Sequence, residues 1–222
     1  MRITAGVQNY VKAIYTLQQT EAPVSNGRLA HHFGFSAPAI TEMVKKLETL
    51  QLVHYQTRGG VRLTAVGEQI ALEMVRHHRL LELYLVEALG MSWDEVHDEA
   101  EVLEHVISET LEERIATFLG NPQFDPHGAP IPARDGTLPK RDSQPLTLLD
   151  VGCRALVVEV DDRDAERLRY LAGLGITPGT AIVLLARAPF EGPLTLQVGT
   201  ALIERVLDSR LAVRIQVQVV EL

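Results

Sequence analysis

Six prolines (Pro122, Pro126, Pro130, Pro132, Pro139 and Pro145) fall within residues 121–146, and the chain changes texture across them. Proline lacks a backbone N–H and fixes φ, so such a run neither continues a helix nor sits inside a sheet. A chain of 222 residues interrupted in this way is expected to fold as separate parts, in keeping with roughly 100–200 residues per domain. Residues 121–146 read as a linker, poor in large apolar side chains, rather than as a core element.

Upstream, the apolar spacing is helical. Tyr10, Val11, Ile14, Tyr15 and Leu17 fit one helix, which Pro23 ends. Ser25 is an N-cap candidate for a short helix over 26–32, broken by Gly34. Ser36 is expected to cap a third helix over 37–50, with Pro38 in its first turn and Ile40, Val44, Leu47 and Leu50 on its buried side. Two β-type runs, 52–56 and 61–64, flank Gly59 and Gly60, a hairpin signal. Helix, helix–turn–helix, then hairpin is the order of a winged helix–turn–helix domain. A long helix over 65–89 follows, and Gly90 ends it. Ser92 and Glu95 have capping-box spacing for a further helix to 119.

Downstream, strands are expected over 155–160, 181–186, 194–198 and 211–220, with a helix over 164–171. Short strands joined by Gly/Pro turns suggest a small β-barrel. The fold class is therefore α+β, with boundaries expected at 1–73, 74–120, 121–146 and 147–222.

No apolar run approaches the ~18 residues of a membrane helix, and the opening residues lack the apolar core of a signal peptide, so the sequence reads as cytoplasmic, without a membrane partner. Cys153 is the one cysteine, which excludes a disulfide scaffold. The net charge of −8 speaks against nucleic acid, but its distribution does not. Residues 1–75 hold 7 basic and 5 acidic side chains, whereas 76–120 hold 3 and 11, together with His77, His78, His97 and His105. Imidazoles and carboxylates in one block suggest a cation site; a solvated acidic helix face is the plain alternative.

The densest string is Val96-His-Asp-Glu-Ala-Glu-Val-Leu-Glu-His105. On a helix, with about 100° per residue, His97, Glu101, Glu104 and His105 share an arc of about 100°. His78 and Glu82 form an i, i+4 pair one helix earlier. Oxygen and imidazole donors suit Mn, Fe, Co or Zn and are poor for Cu(I).

With these residues in view, the sequence resembles the diphtheria-toxin-repressor family of metal-dependent transcriptional regulators. The resemblance rests on Asn9-Tyr-Val-Lys-Ala-Ile-Tyr15, Ser36-Ala-Pro-Ala-Ile-Thr41, Leu63-Thr-Ala-Val-Gly67, Arg76-His-His-Arg-Leu-Leu-Glu82, the 96–105 string and Asp125-Pro-His-Gly-Ala-Pro-Ile-Pro132. The run Leu171-Ala-Gly-Leu-Gly-Ile-Thr-Pro-Gly179 is similar to the SH3-like, FeoA-type domain that many members carry.

The resemblance implies two metal sites per chain. An ancillary site falls on His78, Glu82 and His97; an activating site falls on Glu101, Glu104 and His105, with Asn9 from the first helix. Iron-responsive members carry cysteine where this chain has Glu101, and manganese-responsive members carry glutamate, so Mn(II) is the expected ion and Fe(II) the alternative. The C-terminal domain's ligand pair matches Asp164 and Arg167; arginine does not ligate, which leaves Asp164, with Glu166 in reserve.

The helix over 37–50 is then expected to enter the major groove. Ser36, Pro38, Ala39, Thr41 and Glu42 are its candidate base-edge contacts, and Arg28, Lys45, Lys46 and Arg58 its candidate phosphate contacts. The expected protein is a homodimeric, metal-activated repressor of metal-uptake genes on a palindromic duplex operator, and not an enzyme. A metal-dependent hydrolase built on the same His/Glu cluster is the reading from another class, and it would need an open coordination position beside a substrate pocket.

Overall fold

The computed structural model describes residues 3–220, which form two compact units. One holds the chain up to His78 with Leu103–Ile107 and Pro132–Thr137; the other holds Arg79–Val102, Ser108–Ile131 and the chain from Leu138 onward.

The first unit is helix α1 (Ala5–Gln18), helices α2 (Asn26–Phe33) and α3 (Ala37–Thr49), the hairpin of β1 (Val53–Gln56) and β2 (Gly60–Leu63), and α4 (Ala65–Leu89) as far as His78. The expected caps form: the Ser25 hydroxyl accepts from the Arg28 N–H and the Ser36 hydroxyl from the Ala39 N–H. Each such cap contributes about 1 kcal/mol. Gly34, at φ +67°, ends α2 in the left-handed conformation that glycine adopts without cost. Ile14, Leu29, Ile40, Val44, Leu47 and Val61 are fully buried together, so the helical stripes meet in one core beneath the hairpin. Val53 pairs with Leu63 and Gln56 with Gly60, which leaves Arg58 in the exposed turn.

The second unit takes the rest of α4, then α5 (Val96–Leu103) as far as Val102, and α6 (Glu109–Phe118). Its C-terminal part is a six-stranded antiparallel sheet in the order β3-β8-β4-β5-β6-β7, from β3 (Gln144–Pro145), β4 (Arg154–Val160), β5 (Ala181–Arg187), β6 (Leu194–Val198), β7 (Ile203–Leu207) and β8 (Ile215–Val219). Helices α7 (Ala165–Gly173) and α8 (Ser209–Ala212) accompany it. Leu146, Val157, Leu168, Ile176, Ile182, Leu196 and Ile215 build its core.

The structure corrects several expectations. The helix expected to 119 is two helices, because Ser108 caps a new one by accepting from the Leu111 N–H; Glu104 and His105 lie in the intervening turn. The sheet is open rather than a closed barrel: β3 and β7 are its edges and do not pair with each other among the described residues. The strand expected over 211–220 begins at Ile215, since Asp208 caps α8 through the Arg210 N–H and makes Leu211 helical. Strand β7 escaped the sequence reading. Residues 121–146 are more than a linker, because Asp125, His127, Ala129 and Ile131 are buried. Among the described residues, no helix is long and apolar enough to cross a membrane.

Candidate metal centre

In the second unit, four side chains from three places in the chain converge. Glu82 from α4, Asp125 and His127 from the loop after α6, and Asp162 just past β4 each present one donor atom within 4.8 Å of the others. Glu82 and His127 are fully buried and Asp125 nearly so. The Glu82 carboxylate is shared: Oε1 lies 3.2 Å from His97 Nδ1, and Oε2 lies 3.8 Å from His127 Nδ1. Glu82, His97 and Asp162 likewise hold donors within 4.8 Å of one another.

Backbone bonds of the loop set this arrangement. Asp125 Oδ1 accepts the N–H groups of His127 and Ala129, both at 2.9 Å, which leaves Oδ2 3.6 Å from Arg79 Nε and without a hydrogen-bond partner. The Val160 N–H donates to the His127 carbonyl at 2.9 Å, tying the loop to the end of β4 two residues before Asp162. Arg141 lies 3.4 Å above the Phe124 ring and donates to the carbonyls of Gly128 and Val158. Gly128 has φ +89°, and a Cβ there would stand 1.8 Å from the Val158 carbonyl oxygen, so no other residue fits.

The protonation of His127 follows from its neighbours. Its Nε2 lies 2.7 Å from the Trp93 carbonyl oxygen, which only accepts, so Nε2 carries hydrogen and Nδ1 faces the carboxylates. Burial alone would lower the imidazole's pKa, but Glu82, Asp125 and Asp162 outweigh it and raise it to about 9. Burial, reinforced by Glu82, pushes the Asp125 carboxyl up to about 7. At neutral pH the group is thus a buried acidic pocket holding a proton on Nδ1. The partnerless Nδ1 and Asp125 Oδ2, with no sulfur in the set, fit a divalent cation.

A second constellation lies in the first unit. Glu104 Oε1 and His105 Nε2, 3.9 Å apart, are buried without hydrogen-bond partners, as is Asn9 Oδ1. Gln8 Oε1 lies 2.9 Å from His105 Nδ1, so the amide oxygen accepts from an Nδ1–H and leaves the Nε2 lone pair available. Glu104 Oε2 is occupied by Lys12 Nζ at 2.7 Å and by His78 Nδ1 at 2.6 Å.

Other expected residues stand as follows. Glu101 is half-buried on α5, one turn from His97. Asp164 is the N-cap of α7, accepting the N–H groups of Glu166 and Arg167 and pairing with Arg167 at 3.0 Å; the carboxylate that joins the donor cluster is Asp162. Ser36, Pro38, Ala39, Glu42, Lys45 and Lys46 are exposed, and from Pro38 onward they span roughly 120° of α3. The Thr41 hydroxyl is turned inward, donating to the Ala37 carbonyl and accepting from Asn26, which leaves its methyl as the contact group. Arg28 is exposed, 3.6 Å from Glu21, and Arg58 is exposed on the wing.

Sequence reasoning missed Asp125, His127, Asp162 and Lys12 as site residues. The first two stood in the quoted Asp125-Pro-His127 string, where a polar pair between prolines in an otherwise plain loop was the available signal. Nothing in spacing pointed to Asp162 or Lys12.

Comparisons agree with this architecture. Residues 2–61 match the family model "Iron dependent repressor, N-terminal DNA binding domain", residues 64–133 match "Iron dependent repressor, metal binding and dimerisation domain", and residues 144–219 match "FeoA domain". A solved manganese-dependent transcriptional repressor in complex with manganese is 41% identical over 96% of this chain and 100% of that one, with a TM-score of 0.89. ScaR with bound Cd2+ is 32% identical over 96% and 99%, with a TM-score of 0.83. The iron-dependent repressor IdeR of Mycobacterium tuberculosis is 36% identical over 123 residues, 55% of this chain and 54% of the relative, so the match spans about half of that protein. The diphtheria toxin repressor of Corynebacterium efficiens is 27% identical over 93% of both chains.

Proposed function

Because this chain belongs to the diphtheria-toxin-repressor family of iron-dependent repressors, we propose that it is a metal-activated DNA-binding transcriptional repressor that acts as a homodimer and answers to Mn(II). The observation that carries the reading is the Glu82–Asp125–His127–Asp162 group, three of its four side chains buried, with oxygen and nitrogen donors and no thiolate. Mn(II) binds weakly in the divalent order, so a site answering to it wins by hard ligands and geometry. Glu101, a carboxylate where iron-responsive members carry cysteine, points the same way.

Two metal sites per chain fit the reading. The family assignment gives Asn9, Glu101, Glu104 and His105 to an activating site, and His78, Glu82 and His97 to an ancillary one. Asp162 is the better candidate than Asp164 for the C-terminal domain's contribution, since Asp164 is engaged at the start of α7. A cation supplies the charge that lets several carboxylates share a buried volume; without it Glu82, Asp125 and Asp162 repel one another. A cation that binds one conformation better favours it by its differential affinity, and DNA affinity rises by the same linkage.

For DNA, α3 is the recognition helix and Arg28, Lys45, Lys46 and Arg58 the phosphate contacts, on a palindromic operator whose half-sites are set by the dimer. Exposed Leu89, Val102, Leu111 and Phe118 supply apolar surface for a second copy. The relatives are DNA-binding repressors and not enzymes, so the hydrolase reading is set aside. Fe(II) is the second reading, favoured by the 36% identity to IdeR. Gel retardation of candidate operator DNA in chelator, Mn(II), anaerobic Fe(II) and Zn(II) tests all of this. Equal DNA affinity in chelator and in Mn(II) would sink the activation model, and a stronger response to Fe(II) would replace the ion.

A further inference from the structure

Lys12 stands on α1 one turn after Asn9, and its ammonium meets Glu104 at Oε2, the carboxylate oxygen other than the one nearest His105 Nε2. Nζ donates to Glu104 Oε2 at 2.7 Å and lies 3.1 Å from His78 Nδ1. Glu104 is wholly buried, and the Lys12 side chain is only 16% exposed, so this ion pair is poorly screened by solvent. The two carboxylate oxygens therefore have different fates. Oε2 is held by the ammonium and by His78, while Oε1 is buried without a hydrogen-bond partner, 3.9 Å from the equally partnerless His105 Nε2.

We propose that Lys12 is a resident counter-cation that sets the metal affinity of the Glu104–His105 site. It occupies Oε2, so that Glu104 offers a cation one oxygen instead of two, and it fixes a positive charge at the other oxygen of the same carboxylate. Both effects weaken cation binding: one removes a donor, the other adds like-charge repulsion across a buried site. The loss is larger for an ion that favours a large oxygen-rich shell, such as Mn(II), than for four-coordinate Zn(II). In the metal-free protein the same ammonium keeps Glu104 paired, so the site stays folded while empty. The site thus responds at a raised metal concentration, as a sensor requires, instead of filling permanently. This inference rests on the reading above that a divalent cation binds at Glu104 and His105.

The test is a calorimetric titration of Mn(II), and separately of Zn(II), into the full-length metal-free protein. Glu104→Gln identifies the binding phase that belongs to this site; if it removes no phase, the site itself is misassigned, whatever Lys12 does. Lys12→Met and Lys12→Gln remove the charge, and the second keeps a donor for Oε2 should the first fold poorly. Both are expected to tighten Mn(II) in the identified phase about tenfold or more, and Zn(II) by less. Lys12→Arg, which keeps the charge, is expected to stay within about threefold of the parent. Unchanged or weaker Mn(II) binding in the neutral variants overturns the proposal, and so does a gain in Lys12→Arg equal to theirs.

Discussion

His127 Nδ1 lies 3.8 Å from Glu82 Oε2, and neither side chain has any solvent exposure. The separation is longer than a hydrogen bond, and a buried imidazole and carboxylate at this spacing suit two ligands of one divalent cation. His127→Gln removes the one nitrogen donor of the Glu82–Asp125–His127–Asp162 group while keeping its volume. It is expected to weaken Mn(II) in one binding phase by about 100-fold and leave the other phase in place. Equilibrium dialysis against Mn(II) checks it; unchanged stoichiometry and affinity would mean that this group does not bind the ion.

The two nearby aspartates separate cleanly. Asp162 belongs to the donor group, whereas Asp164 caps α7. Asp162→Asn is expected to cost about tenfold or more in Mn(II) affinity. Asp164→Asn, with a side chain that caps about as well, is expected to leave both affinity and melting temperature nearly unchanged. Reversed outcomes in paired titrations would return the ligand to Asp164.

Acidity gives an independent handle. His127 is raised from 6.5 to about 9 and Asp125 from 3.8 to about 7, so both hold protons more tightly in the folded, metal-free protein than in the unfolded chain. A raised folded pKa contributes stability below the unfolded value and loses it as pH rises through the folded one. Metal-free protein is therefore expected to melt at progressively lower temperature between pH 6 and pH 9. Mn(II) must displace the same protons, so its affinity should rise across this window and the Mn(II)-loaded protein should hold its melting temperature. Melting curves at fixed ionic strength decide it; a metal-free protein that gains stability toward pH 9 contradicts the assignment.

How much of this was legible in the sequence depended on whether the information was local. Ile40, Val44 and Leu47 announced a buried helix face because helical period and burial coincide, and Ser25 and Ser36 marked helix starts because capping is a matter of three residues. Glu104 and His105 were expected on an unbroken helix, whereas Ser108 restarts the chain after a turn. Asp162 was invisible because a backbone bond between Val160 and His127, 33 residues apart, brings it to the site. Lys12 was invisible for the same reason: its meaning lies in a pairing with Glu104, 92 residues away. Spacing finds ligands within a helix; it does not find those that tertiary contacts recruit.

The loop that carries Asp125 and His127 depends on one glycine. Gly128→Ala places a methyl 1.8 Å from the Val158 carbonyl, in a backbone conformation that alanine also disfavours. The loop must then leave β4, and His127 and Asp125 go with it. The cost is expected to be about 2 kcal/mol or more, which corresponds to a fall of roughly 4–8 °C in melting temperature for a chain of this size. Loss of the His127-dependent Mn(II) phase should accompany it. A variant with parental stability and full Mn(II) uptake would show that the loop does not hold the site.

In the proposed reading, Glu101 sets which ion the activating site prefers. It is half-buried on α5, one turn from His97. A carboxylate is a hard donor able to ligate through one or two oxygens, which suits the large shell of Mn(II); a thiolate is soft and draws Fe(II), Co(II) or Zn(II) more strongly. Nothing else in the assigned set supplies sulfur, since Asn9, Glu104 and His105 offer oxygen and nitrogen, and Cys153, the one cysteine, lies just before β4. Glu101→Cys is therefore expected to fold normally, with a melting temperature close to the parent's, because the position is neither fully buried nor a helix cap. Its metal-dependent DNA binding should shift from Mn(II) toward Co(II) and Fe(II), with the Mn(II) response reduced by about tenfold or more. Gel retardation of both proteins across the three ions, in reducing buffer without oxygen, gives the ranking. If the order of metals is the same in the two proteins, Glu101 is a solvated helix residue and the choice of ion lies elsewhere in the chain.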